Sequence, residues 1–164
     1  MQTDKSIKNY LPLIAILMVI SLSSLAISER TGAALMPISM GLFLVIFAML
    51  KLIDLENFAK GFGMYDAVTK KYPAYGKIYP FIELALGLLY LSGFFPMIAS
   101  LATIVVMSIA AYGVLRALKK GSKVKCACLG TAINVALSTV SLFENLLMVA
   151  MAAIGLIRMA SIGQ

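Results

Sequence analysis

The chain has 164 residues, of which 62% are hydrophobic and 13% charged, and its formal net charge is +7. A soluble domain needs roughly 25% charged residues to cover its surface, so this composition excludes a water-soluble globule and makes a bilayer the solvent. The lysines lie in the hinges between apolar runs, which assigns them to topology and anionic headgroups and excludes a nucleic-acid partner.

Residues 10–28 carry no charge, and about 20 apolar residues span the hydrocarbon core, so a first transmembrane helix is expected there. Lys5 and Lys8 precede it and Ser24-Leu25-Ala26 resembles a signal-peptide cleavage site; the segment is read as a signal-anchor helix. Residues 32–52 form a second span that closes on Lys51. Over residues 54–77, Asp54, Glu56, Lys60, Asp66, Lys70, Lys71 and Lys77 alternate with Phe58, Phe62, Tyr65, Tyr72 and Tyr75. That pattern predicts a short amphipathic helix at the interface and a turn at Pro73–Gly76. Tyr65, Tyr72, Tyr75 and Tyr79 read as interfacial anchors.

Residues 78–115 hold a single charge, Glu83. One helix of that length would run roughly 57 Å at 1.5 Å per residue, nearly twice the core thickness. Ser92-Gly93-Phe94-Phe95-Pro96 divides it into spans 78–94 and 96–117, with Pro96 suited to a first helical turn. A last span covers 135–157; Ser138, Thr139 and Ser141 are N-cap candidates, and Ser141 with Glu144 matches a capping box. The expected fold is all-α: one polytopic membrane domain over residues 1–164, with five transmembrane helices and a short interfacial amphipathic helix.

Five spans put the N-terminus, segment 54–77 and loop 119–134 on one side. That side carries Lys5, Lys8, Lys51, Lys60, Lys70, Lys71, Lys77, Arg116, Lys119, Lys120, Lys123 and Lys125, against Arg30 and Arg158 on the other. The bias makes the lysine-rich side cytoplasmic. Thiols on that face are kept reduced.

Loop 119–134 contains both cysteines of the chain, Cys126 and Cys128, and the sequence has no histidine. A Cys-x-Cys disulfide closes a very small strained ring, an easily reduced bond rather than a staple. Two adjacent thiolates also suit a soft ion such as Cu(I) or Hg(II), whereas a tetrahedral zinc site would need two more ligands. Lys123 and Lys125 beside the pair favour the thiolate. A third reading leaves the cysteines as small inert side chains.

Lys51, Asp54, Glu83, Arg116 and Glu144 are ionisable residues in or beside the spans, and intramembrane charge is costly. The topology places all five in the cytoplasmic half. Glu83 is expected to pair with Lys51 or Arg116, and Glu144 with the remaining cation. Either these are packing ion pairs, with Lys51, Asp54 and Arg116 structural, or Glu83 and Glu144 join Cys126 and Cys128 as catalytic groups by accepting protons during thiol exchange. The 11 methionines are scattered on apolar helices and read as packing.

Three segments carry a family resemblance: Lys51-Leu52-Ile53-Asp54-Leu55-Glu56-Asn57-Phe58 with Met64-Tyr65-Asp66, Tyr79-Pro80-Phe81-Ile82-Glu83-Leu84-Ala85-Leu86-Gly87, and Cys126-Ala127-Cys128-Leu129-Gly130. Over roughly residues 40–157 the chain resembles the MauE/DoxX family of small bacterial membrane proteins. The cysteine stretch is similar to the Cys-x-Cys-Phe-Gly element of the MauE branch, with Leu129 in the aromatic's place. The resemblance implies a four-helix core to which this chain adds an N-terminal helix. It implies motif positions at Lys51, Asp54, Glu83, Cys126 and Cys128, and a role in thiol redox and protein maturation or in quinone-linked redox; relatives with this cysteine form resemble heavy-metal-handling proteins.

Three functional readings follow. The first is a thiol-disulfide electron relay, an oxidoreductase component that takes electrons from a thioredoxin-like partner through Cys126 and Cys128 and passes them on, to a quinone or a protein. The second is a Cu(I) or Hg(II) binding or transport protein that works with a metal-handling partner. The third is an assembly factor with incidental cysteines. A homo-oligomer is compatible with all three.

Overall fold

The computed structural model of the chain describes residues 3–64, 66–119 and 139–162. Loop 119–134, apart from Lys119, lies outside the described residues, and so do Cys126 and Cys128. The described residues form seven helices and no strand: α1 (Thr3–Thr31), α2 (Leu35–Ile53), α3 (Leu55–Gly63), α4 (Ala67–Lys71), α5 (Pro73–Ser92), α6 (Pro96–Lys119) and α7 (Thr139–Ile162).

Local chemistry explains the boundaries. Gly32 leaves α1 at φ 69° with its N–H donating to Ser28 O at 2.9 Å. Within α1, the hydroxyls of Ser21, Ser24 and Thr31 donate to the carbonyls of Leu17, Ile20 and Ile27, four residues back. Those bonds satisfy polar groups that lipid cannot. Asp66 caps α4: its Oδ1 accepts from Val68 N at 3.0 Å and Thr69 N at 2.7 Å. Pro73 and Pro96 occupy the first turns of α5 and α6, where a missing N–H costs nothing. Between them Gly93 adopts the left-handed conformation, φ 68°, and ends α5. The expected break at Ser92–Pro96 is therefore present.

Three expected boundaries shift. α5 begins at Pro73 rather than 78, because Pro73 preorganises φ for the helix and the anticipated Pro73–Gly76 turn becomes its first turn. Glu83 thus sits at mid-helix, about three turns from the start rather than one. The segment 54–72 is two short helices, α3 and α4, rather than one. α7 already runs from Thr139, so the Ser141–Glu144 box lies inside it.

α2, α5, α6 and α7 close into a four-helix ring through the pairs α2·α5, α5·α6, α6·α7 and α2·α7, while α1 packs on α2 alone. The α2·α5 crossing depends on two glycines. A Cβ at Gly87 would stand 2.9 Å from Gly41 O and from Val45 N, and one at Gly41 would stand 3.0 Å from Gly87 O. Only hydrogen fits between these backbones. At the other side of the core, Phe58 and Phe62, one turn apart on α3, pack under the end of α6 with Tyr79, Ala110, Val114 and Ala117.

Among the described residues, four helices are long and apolar enough to cross a membrane: Leu11–Thr31, Leu35–Ile53, Pro96–Lys119 and Leu142–Ser161. Their outward faces expose Leu22, Val105, Phe143 and Ile157 among others. Such apolar exteriors suit lipid contact, and the chain is a multi-pass membrane protein. α5 has the length of a span but carries Lys77 and Glu83 and falls outside that group.

Candidate functional site: a buried ion pair at the bundle core

Lys51 lies in the last turn of α2, where the chain turns into α3, and Glu83 at the middle of α5. The tight glycine crossing brings the two helices close enough for the Lys51 ammonium to donate directly to Glu83 Oε2. Lys51 is 5% exposed and Glu83 3%. Sequence reasoning offered Lys51 or Arg116 as the partner of Glu83. Lys51 takes it, and Arg116 sits on the exposed side of α6.

An aromatic wall surrounds the ammonium. Its nitrogen lies 5.1 Å from the Tyr79 ring centroid and 5.7 Å from that of Phe58, so the ring faces add attraction for the cation. Phe62 extends the wall, stacked 5.2 Å from Phe58 and tilted 4.6 Å from Tyr79. Tyr79, read from sequence as an interfacial anchor, is instead buried, with its hydroxyl donating to Met107 Sδ at 3.9 Å. Its position one turn before Glu83 puts both on the inward face of α5.

The pair faces a cavity of about 30 Å³ lined also by Glu144 and Asn145 of α7 and by Met107, Ala110 and Val114 of α6. That is room for a water molecule or two. Two carboxylates and one ammonium therefore line one small, mostly apolar cavity of the bundle. Among the described residues no cluster of three histidine, cysteine, aspartate or glutamate residues could hold a metal ion.

Asp54 sits at the α2–α3 junction, where its Oδ2 accepts from Asn57 Nδ2 at 3.0 Å. Outside the bundle, Lys77 donates to Glu56 Oε1 at 2.6 Å on an exposed surface. That hydrogen bond and the lysine's charge hold the Glu56 carboxyl below its ordinary pKa.

Two features escaped the sequence reading. Asp66 is fully buried as a helix cap, which an aspartate amid lysines does not announce. Thr103 of α6 is also fully buried, and its Oγ1 has no hydrogen-bond partner among the described residues. A single threonine in an apolar run gives no periodic mark.

The family model described as methylamine utilisation protein MauE matches residues 13–158. No curated protein and no solved structure matches the chain.

Proposed function

The chain belongs to the methylamine utilisation protein MauE family, and on that premise we propose that it is a thiol-redox protein of the bacterial inner membrane, working through Cys126 and Cys128. The observation that carries this reading is the pairing of α6 with α7. Ser100 of α6 neighbours Gly155 of α7, while Val114 and Glu144 line one cavity, so the helices run antiparallel. Both ends of the cysteine segment, Lys119 and Thr139, therefore leave the same end of the bundle, the end that holds α3 and the aromatic wall. Cys126 follows Lys119 by seven residues, at most about 25 Å of extended chain.

In this reading five helices, α1, α2, α5, α6 and α7, cross the bilayer, α3 and α4 lie at the interface, and the lysine-rich end is cytoplasmic. α5 crosses because its two charges are neutralised: Glu83 by Lys51, and Lys77 by Glu56 at the rim. A reduced thioredoxin-like partner attacks the Cys126–Cys128 disulfide, forms a mixed disulfide, and resolves it with its second thiol. Two electrons and two protons pass to the cysteine pair, and the partner leaves oxidised. The pair then reduces a disulfide in a second protein by the same exchange in reverse. Glu83 and Glu144 accept and return the protons when thiols become thiolates.

Trapping tests the relay. Cys126→Ser or Cys128→Ser alone should accumulate a mixed disulfide with a thioredoxin-like protein, visible on non-reducing gels and lost with dithiothreitol. Absence of any adduct from both single variants, at wild-type abundance, contradicts it.

One observation favours a second reading, soft-metal transfer. Met40, Met107 and Met148 are buried in one core cluster, with Met36 and Met151 packed against it. Thioethers gathered in one buried cluster suit a Cu(I) cargo delivered by Cys126 and Cys128. Stoichiometric copper or mercury in the purified reduced protein, lost on double cysteine replacement, would favour this reading over the relay.

A further inference from the structure

The mostly apolar seam between α5 and α6 holds buried hydroxyls beyond the ion pair, those of Tyr90, Ser100 and Thr103. Two contacts set its antiparallel register. At one level Tyr79 of α5 meets Met107 of α6, and toward the Gly93 turn the Tyr90 hydroxyl donates to Ser100 Oγ at 3.4 Å, both residues buried. Interpolation between them sets Thr103 level with the turn of α5 that follows Glu83. The unpartnered Thr103 hydroxyl, fully buried, thus stands between the Glu83 cavity and the Tyr90–Ser100 bond. From Glu83 to Tyr90 the helix rises about 10 Å, a distance that two hydroxyl steps and a water cover. A buried unpaired hydroxyl is costly in a membrane core, yet it can accept a proton on one lone pair while releasing its own.

We infer that this seam conducts protons between the Lys51–Glu83 cavity and the Gly93 end of the bundle, with Glu83 as the group that takes up the proton and Thr103, Ser100 and Tyr90 as the hydroxyls that hand it on. The groups facing Glu83 are Lys51 from α2, Phe58 and Phe62 from α3, Tyr79 on its own helix, Met107 from α6, and Glu144 with Asn145 from α7. Lys51 is ion-paired with the Glu83 carboxylate, and Glu144 lines the same cavity. Each transfer breaks one O–H bond and makes another, so no electrons move. The inference shares with the cysteine reading only the protonation of Glu83.

The test uses the full-length protein in vesicles that enclose a pH-sensitive dye, with valinomycin and potassium clamping the membrane potential while an external acid step is applied. The lumen should acidify several-fold faster than in protein-free vesicles. Thr103→Val, which keeps the side chain's shape, and Glu83→Gln should return the rate to the protein-free value, while Thr103→Ser should keep it. Tyr90→Phe provides a second variant should thermal melts show Thr103→Val misfolded. The double variant Cys126→Ser/Cys128→Ser should conduct as wild type, so this inference and the relay fail separately. A wild-type rate equal to that of protein-free vesicles, or unchanged rates in the Thr103→Val and Tyr90→Phe variants that fold, would overturn it.

Discussion

Lys51 and Glu83 are held in a setting that tolerates neither alone. Removing one partner of a buried pair leaves an uncompensated charge and typically costs 3–5 kcal/mol, whereas replacing both by apolar groups is often neutral. Lys51→Met is therefore expected to lower stability by about 3 kcal/mol. The double change Lys51→Met/Glu83→Leu should restore most of that in denaturant titrations while abolishing activity. A double variant no more stable than the single one would contradict the pairing. The exposed Glu56–Lys77 contact behaves differently. Its lowered carboxyl pKa means the contact is complete at neutral pH and is lost only as pH falls through the depressed value. NMR titration should place the Glu56 midpoint below that of an ordinary glutamate, and Lys77→Met should bring it back. With both side chains solvated, the melting temperature should hardly move.

Helix by helix, the α2·α5 crossing is where the site is most vulnerable, since the reach of Lys51 to Glu83 depends on two backbones in contact at Gly41 and Gly87. Gly87→Ala introduces a methyl 2.9 Å from backbone atoms of α2, an overpacking that costs typically 1–3 kcal/mol. It should lower the melting temperature and weaken function together, whereas a change at lipid-facing Leu88 should leave both intact. Much at this scale is legible in the sequence. Uncharged runs of span length give α1, α2, α6 and α7, and Pro96 after Gly93 gives the α5–α6 break. The start of α5 was hidden because Pro73 serves turns and first helical turns alike. The burial of Tyr79 was hidden because a tyrosine near a membrane surface reads as an anchor until Lys51 is seen beneath its ring. The glycine contact requires knowing which helices cross, and Thr103 carries no pattern at all. Glu83 and Lys51, by contrast, stood out as charges in apolar runs, and the structure joins them.

Taken whole, the molecule is a four-helix ring with α1 laid against α2 and an apolar outer surface, with Glu29, Arg30 and Arg158 toward the Gly93 end and most of the remaining charge of the described residues inside or at the opposite end. That end gathers Lys51, α3, α4 and the two residues, Lys119 and Thr139, that bracket the cysteine segment. The cavity lined by Lys51, Glu83 and Glu144 lies within the bundle; in the proposed relay it serves the Cys126 and Cys128 thiols as proton acceptor. The account stands or falls on whether those thiols exchange electrons as a pair. The most direct measurement is a redox titration of the full-length protein in membranes, equilibrated in dithiothreitol buffers, with free thiols counted by mass-tagged maleimide. The account predicts that Cys126 and Cys128 are tagged or protected together in one two-electron transition, with the oxidised form monomeric on gels. Both cysteines remaining fully tagged throughout the titration, or protection only as a dimer, would contradict it.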